Sequence, residues 1–516
     1  MGESRRHRNA AQVSALFEAA ISHHRSGRLD DAERAYVEVL ARVPDHCGAL
    51  NMRGAVALVR GDPTAALGYL DLAVSADGKV AGVHLNRGNA LRALGRLADA
   101  RASYERALAL DPNMAAAHIN RGNVLRDGGV LDLAEAGYRT ALALVPTSFA
   151  AAANLAAVIA AQPDRAEASL AAYAAALDLA EAQGLRGPDV ANCHNALGNL
   201  YRSGGRLEEA LECFAKAIDL DPLFAQAHAN LSRALAAAAR HEEAVVAIRR
   251  AVELQPEVDT HLEVLALQLR RLGRHDQAAA AYQRWIDKDP DNPIAAHMHR
   301  ALTGGAVPES ATVEYVRREF DGFAANFDEV LRTRLEYCAP ELLLGAVRAV
   351  LGDVASRLTV ADLGCGTGLC PPLFRTLAAR LVGVDLSPRM LEIAVTRGYD
   401  ELVEGEIAAY CSAHPGEFDL LVAADVLIYV GTLDRTLQAA RCSLRPAGHL
   451  AFTVERGDEG GPGYALNAGG RYTHTHAYVT RSLELSGFTV LAVTTAPLRT
   501  ELGVPVLGLV VVARAC

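Results

Sequence analysis

The sequence has no apolar run long enough to cross a bilayer, because charged residues break its alanine-rich stretches throughout the 516 residues. Nor does it open like a secretory leader, since the basic start MGESRRHRNA is not followed by an apolar segment of signal length. Positive charge is not in excess either. With 51 Lys and Arg against 61 Asp and Glu the net charge is -10, which excludes the basic footprint of a general nucleic-acid binder. Nine cysteines are scattered with no CxxC pair, a usage that fits reduced, buried thiols and neither a disulfide framework nor a zinc site. The expectation is a soluble cytoplasmic protein of roughly two to four domains with no membrane, nucleic-acid or metal partner.

Most of the first 300 residues repeat with a 34-residue period. Glycines recur at Gly27, Gly61, Gly95 and Gly129, and alanines five residues on at Ala32, Ala66, Ala100 and Ala134. Tyr36, Leu70, Tyr104 and Tyr138 follow, and Pro44, Pro112 and Pro146 close three of the units. Small residues let two helices of a hairpin approach, the larger side chain fills the space beside them, and glycine and proline end the helices. The period is that of the tetratricopeptide repeat. About eight units are read, one of them elongated over 149–190, with a second helix near 166–183 expected to run two extra turns. On the first helices Asn86, Asn120, Asn154 and Asn230 share one repeat position, and Asn89, Asn123 and Asn199 share another three residues later. Residues three apart lie on one helical face, so these amides either line the groove or bond neighbouring helices. The repeats resemble those of the O-linked N-acetylglucosamine transferase, and that resemblance implies a ladder that clamps an extended peptide.

The densest chemistry lies in VADLGCGTGL, residues 360–369. A β-prone run ends at Asp362, and Gly364, Gly366 and Gly368 follow at alternate positions, with a helix-compatible segment over 371–379. This is strand, glycine turn, helix, an arrangement in which backbone approaches a ligand that any Cβ would strike. The residue three after Gly366 is Leu369, which departs from the dinucleotide fingerprint, and no Gly-Lys-Ser/Thr follows. Past the turn, strand-like and helix-like segments alternate as a parallel sheet demands. The second strand ends in Asp385, 23 residues after Asp362, where an acid can accept both hydroxyls of a ribose.

The run DLGCGTG resembles motif I of class I S-adenosylmethionine-dependent methyltransferases. The FDxxAxxFD pattern from Phe320, the GGRYTHTHAYV insertion and the RTELGVPVLGLVVV ending resemble a bacterial group of predicted methyltransferases that carry tetratricopeptide repeats. The resemblance implies S-adenosylmethionine as cofactor, with no metal. It implies cofactor contacts from Asp362, Leu363, Gly364, Cys365, Gly366, Gly368, Asp385, Leu386, Met390, Glu406 and Asp425, Met390 and Glu406 on the adenine side. It also implies a lid formed by the stretch holding Phe320, Phe323, Phe327 and Leu331.

The expected architecture is an all-α tetratricopeptide superhelix followed by an α/β Rossmann-like class I methyltransferase domain with a seven-stranded doubly wound sheet. Its parts are a disordered 1–12, an array over 13–302 with a capping helix, a linker at 303–312, and a methyltransferase domain over 313–516. A proton must leave a protic acceptor, and histidine suits a base at neutral pH. His474, His476 and Tyr472 are therefore the catalytic candidates, with Glu455 and Asp425 at strand ends. The expected function is methylation, with the array recruiting a protein or peptide partner. Methylation of a small molecule with the array used for docking, and a scaffold without turnover, are the alternatives.

Overall fold

The computed structural model describes residues 2–333, 335–352, 357–501 and 503–516. The chain divides into two compact units, Met1–Leu254 and Gln255–Cys516.

The first unit is an array of antiparallel helix pairs. It opens with the helix Gly2–Arg25, so the stretch expected to be disordered is helical. In a regular pair the first helix has 13 residues and the second 14, as in Ala81–Ala93 with Leu97–Leu110. Gly27, Gly61, Gly95 and Gly129 all have φ between +72° and +77°, the left-handed conformation that ends a helix without a Cβ penalty. The repeated Ala, Tyr or Leu, and Ala positions are fully buried: Ala66, Leu70 and Ala73, Ala100, Tyr104 and Ala107, and Ala134, Tyr138 and Ala141. Facing each large side chain, the preceding helix carries a glycine. A Cβ on Gly88 would lie 2.4 Å from Tyr104 Cε1, and one on Gly122 2.8 Å from Tyr138 Cε1. In the elongated unit the extra length is shared. Its second helix, Ala166–Ala182, has 17 residues and the next, Pro188–Ser203, has 16, so neither runs the two further turns expected of one of them.

In the second unit the helix pair Asp259–Arg271 and His275–Lys288 leads to the helix Pro293–Thr303. Residues 309–311 of the expected linker are tied to the segment that follows β4: Ala311 N–H donates to the Tyr429 carbonyl at 2.9 Å, and Gly431 N–H to the Glu309 carbonyl at 2.8 Å. The sheet strands are β1 (Leu358–Leu363), β2 (Ala378–Asp385), β3 (Glu401–Glu404), β4 (Phe418–Ala423) and β5 (Leu444–Arg456). They continue with β6 (Tyr464–Leu466), β7 (Tyr472–His474), β8 (Phe488–Glu501) and β9 (Val504–Ala515). β3, β2, β1, β4 and β5 are parallel in that order, and antiparallel β9 and then β8 extend β5. These seven are the strands read from the sequence. The insertion adds a short hairpin, β6–β7, at the end of β5, which makes nine.

Apolar cores lie on both faces of the sheet. One joins Leu343 and Val347 to Phe374, Leu420 and Val510, and the other joins Phe418, Leu421 and Phe452 to Leu437 and Leu483. The helix expected over 371–379 is a single turn, Pro371–Phe374, because Ala378 is already paired with Leu358 of β1. Ladder bonds to a neighbouring strand outweigh local helix propensity there.

Candidate active site

The parallel strands reverse their order between β1 and β4, and ligands of open α/β sheets bind at the carboxyl ends of the strands beside such a switch point. The glycine turn occupies one side of this point. Gly364, Gly366 and Gly368 have φ of +71°, +53° and +89°. The N–H groups of Gly364 and Cys365 both donate to the Val384 carbonyl, at 2.7 and 3.0 Å, which lashes the turn to β2. A Cβ on Gly364 would lie 2.5 Å from Val426, the third residue past the end of β4, so the turn can sit this close to β4 only with glycine there.

Asp385 ends β2 against this turn. Its Oδ2 accepts the Gly366 N–H at 2.8 Å and its Oδ1 the Ser387 N–H at 2.9 Å. Burial raises its pKa, and those two amides oppose the rise. Asp362 is 1 % exposed and accepts the Tyr399 hydroxyl at 2.5 Å. Burial pushes its carboxyl up to about 6. Leu363 and Cys365 are buried in the turn, and Met390 is fully buried in the helix after β2. Glu406 caps the helix Ile407–Ala413, accepting the Ala408 and Ala409 amides at 3.0 and 2.8 Å. Its oxygens are thereby engaged within the fold.

The stretch expected to be a lid folds as the helix Val313–Phe323, a 3-10 turn and the helix Phe327–Thr333. It lies over the turn. Phe327 is the nearest side chain to the missing Cβ of Gly366, at 3.6 Å. The Asp321 carboxylate accepts the Ser387 hydroxyl at 2.5 Å, and that of Asp328 accepts the Thr367 hydroxyl at 2.5 Å. Arg317 donates to the Leu386 carbonyl at 3.1 Å. Asp321 and Asp328 are the two acids of the FDxxAxxFD pattern, so their pairing was visible in the sequence although their partners were not.

Across the switch point, Asp425 follows β4 with a φ of +60°, an uncommon conformation for a residue with a side chain. Its N–H donates to Thr453 Oγ1 at 2.8 Å and its Oδ2 accepts Arg499 Nη1 at 2.5 Å. Arg499, 3 % exposed on β8, also pairs with Glu455 and Glu501, and Arg471 pairs with both of these acids. Arg499 and Arg471 were missed as site residues, although Arg471 lies in GGRYTHTHAYV and Arg499 opens RTELGVPVLGLVVV.

The insertion candidates sit elsewhere. His474 is 0 % exposed, its Nε2 donates to the Gly431 carbonyl at 3.0 Å, and burial lowers its pKa to about 4. These features contradict a base of near-neutral pKa. Tyr472 is fully buried beside Tyr464 and Gly431, with its pKa raised by burial to about 12. His476 is exposed at the start of the helix His476–Leu485, where its N–H donates to Glu459. His474 and Tyr472 contact Gly431, and no hydrogen bond joins any of the three to the glycine turn among the described residues.

In the array the amides meet one another. Asn86 Nδ2 donates to Asn51 Oδ1 at 2.9 Å, Asn120 Nδ2 to Asn89 Oδ1 at 2.8 Å, and Asn230 Nδ2 to Asn195 Oδ1 at 2.9 Å. Asn89 and Asn123 accept the hydroxyls of Tyr104 and Tyr138. Asn154 accepts Arg126 and lines a hollow of about 300 Å³ with Tyr173, Asp189 and Asn192, and Asn199 is half-buried.

Among the described residues no group of three or more metal-ligating side chains forms and no helix is long and apolar enough to cross a membrane. Residues 361–452 match the model of a methyltransferase domain, and residues 17–81, 88–129, 148–223, 195–257 and 238–293 match models of tetratricopeptide repeats. The ubiquinone biosynthesis O-methyltransferase of Ralstonia nicotianae is 31% identical over 144 residues, 25% of this chain and 59% of that protein. That of Paraburkholderia phymatum is 29% identical over 163 residues, 28% of this chain and 69% of that protein. The chain thus spans under two thirds of the first relative's length. A solved S-adenosylmethionine-dependent methyltransferase from Mesorhizobium loti is 27% identical, with 33% of this chain and 96% of that one covered at a TM-score of 0.27. A tetratricopeptide repeat protein from Parabacteroides merdae is 18% identical, with 50% and 98% covered at a TM-score of 0.38. The chain joins tetratricopeptide repeats to a class I methyltransferase domain of the S-adenosylmethionine-dependent kind.

Proposed function

We propose that the chain transfers a methyl group from S-adenosylmethionine to an acceptor carried by a protein that the repeat array recruits, or delivered by a partner held there. The observation that carries the reading is the glycine turn Gly364–Gly368 at the switch point, with Asp385 against one side and Asp425 across from it. The residues fit the cofactor: at Gly366 a Cβ would meet nothing nearer than Phe327, at 3.6 Å, and one oxygen of Asp425 is buried with no partner among the described residues. When bound, S-adenosylmethionine supplies a methyl group on a positively charged sulfur.

The turn and Asp385 would hold the ribose, Leu386 and Met390 would border the adenine, and the lid residues Phe320 and Phe327 would keep water from the reacting atoms. Alignment and water exclusion are the main contributions of the protein, and holding two reactants as a near-attack pair supplies up to about 7–11 kcal/mol. Two families of motif support recruitment by the array: repeats of this type mediate protein contacts, and Asn154 borders a hollow large enough for side chains of a peptide. Methylation of a small hydroxyl compound is the second reading, favoured by the names of the ubiquinone biosynthesis relatives.

Titration of the full chain with S-adenosylhomocysteine tests the enzyme reading, and no detectable binding rejects it. Incubation with methyl-labelled cofactor and cell lysate separates the two acceptors. Label in protein supports recruitment, and label confined to small metabolites supports the second reading.

A further inference from the structure

The strand-end cluster around Asp425 is more built than a cofactor contact requires. Three constraints fix this carboxylate. Its backbone is held at φ +60°, its N–H is bound to Thr453 Oγ1, and its Oδ2 is bound to Arg499 at 2.5 Å. A non-glycine residue in the left-handed region is strained, and such strain persists where the surroundings over-determine it, often at functional sites. Arg499 is itself immobilised by Glu455 and Glu501, and Arg471 by the same two acids. The outcome is a carboxylate with one oxygen anchored and the other, Oδ1, buried without a partner. A buried acceptor left unmade is unfavourable, so the atom calls for a donor from outside the fold.

Its position identifies that donor. β4 runs beside β1, with Asp362 level with Val422, so Asp425 stands just beyond the glycine turn, and its neighbour Val426 packs on Gly364. The hydroxyl of Tyr337 donates to the carbonyl of Ala424 at 3.3 Å and closes the side toward Asp362. The charged and titratable groups acting on this site are Arg499, Arg471, Glu501, Tyr337 and Tyr429.

We infer that Asp425 Oδ1 faces the methyl-transfer position and is the proton acceptor for a protic nucleophile, an amine or a hydroxyl. This rests on the S-adenosylmethionine reading above. In the step, the acceptor's N–H or O–H proton passes to Asp425 Oδ1, the freed electron pair forms the new bond to the methyl carbon, and the carbon–sulfur bond breaks with its pair left on sulfur. The proton then leaves to solvent. Burial raises the carboxyl above its ordinary range despite Arg499, which makes it a better base than a free aspartate. Arg499 is a positioning residue that fixes which oxygen is offered.

The test needs no knowledge of the acceptor. Sinefungin carries an amine on the carbon that replaces the sulfonium, so it places a hydrogen-bond donor where S-adenosylhomocysteine has none. Calorimetry on the full chain is expected to give sinefungin an advantage of about tenfold over S-adenosylhomocysteine, as a hydrogen bond to a charged group implies. Asp425→Asn is expected to remove most of that advantage, read as the ratio of the two affinities in the same variant. An advantage that survives the substitution overturns the inference. Equal affinities in the unsubstituted chain overturn it without any variant, which covers the case of a variant that does not fold. Failure of both ligands to bind the unsubstituted chain instead removes the methyltransferase reading itself.

Discussion

At the scale of single residues, Asp362 shows how a motif acid can serve the fold. It is buried, hydrogen-bonded to Tyr399, and raised to about 6 by burial. A carboxyl raised above its unfolded value keeps its proton in the folded state at a pH where the unfolded chain has lost it. The stabilising difference is whole below about pH 4 and is lost as pH climbs through about 6. Asp362→Asn remains neutral and can still accept from Tyr399, so its stability has no such fall. The melting transition that S-adenosylhomocysteine shifts should drop more steeply between about pH 4 and 6 in the natural chain than in the variant. At pH 7 the variant should be the more stable by about 1–3 kcal/mol; curves that run parallel across this range reject the assignment. The sequence made the glycines and Asp385 legible because their spacing encodes a backbone shape. It did not reveal Arg499, since a pairing between β8 and the tip of β4 depends on strand order, and strand order is not written locally. His474 misled for the opposite reason. Its residue type suits a base, but burial on β7 gives its ring a carbonyl partner.

At the scale of elements, the repeat pattern was readable wherever one side chain acts within its own helix pair. The alanine and tyrosine positions announced themselves, whereas Gly54, Gly88, Gly122 and Gly198, which stand opposite Leu70, Tyr104, Tyr138 and Phe214 in the structure, escaped notice because glycine inside a helix reads only as a weakness. In the helix Ala115–Asp127 the absent Cβ of Gly122 makes room for a fully buried ring whose hydroxyl donates to Asn123 at 2.7 Å. Gly122→Ala gains about 1 kcal/mol of helix propensity but forces the ring to move, at about 1–3 kcal/mol, and loses the Asn123 bond. Net destabilisation of about 1–3 kcal/mol is expected. Gly68, exposed in the helix Pro63–Ala76 with nothing near its missing Cβ, supplies the contrast. Gly68→Ala should be neutral or stabilise by up to about 1 kcal/mol. Urea unfolding of both variants decides the matter, and equal effects would mean that the space beside Gly122 is not tight.

At the scale of the whole molecule, the glycines near 305 and the compactness of the chain point to different places to cut it. The helices from Asp259 to Thr303 belong to the same compact unit as the sheet, and the contacts that join them are specific. His297 Nε2 donates to the Gly470 carbonyl at 2.9 Å, its ring stacks on Tyr315 at 3.9 Å, and a Cβ on Gly470 would lie 2.6 Å from Met298 Sδ. Tyr315 and Met298 are 4 % and 3 % exposed. A fragment of residues 255–516 keeps all of this. A fragment of residues 305–516 bares Tyr315, strips the Gly470 carbonyl of its donor and uncovers the insertion that ends at β7. Reburying one large side chain is worth about 1.5–3 kcal/mol and an unmet buried acceptor costs about 1–3 kcal/mol. The shorter fragment should therefore be less stable by about 2.5–6 kcal/mol, and its affinity for S-adenosylhomocysteine should fall with the lid, because Tyr315 lies on the helix that carries Arg317 and Asp321 to the turn. Denaturation and calorimetry on the two fragments measure both effects. Equal stability and equal affinity would show that the last helices serve only the array, and that the methyl-transfer site is complete from residue 305 onward.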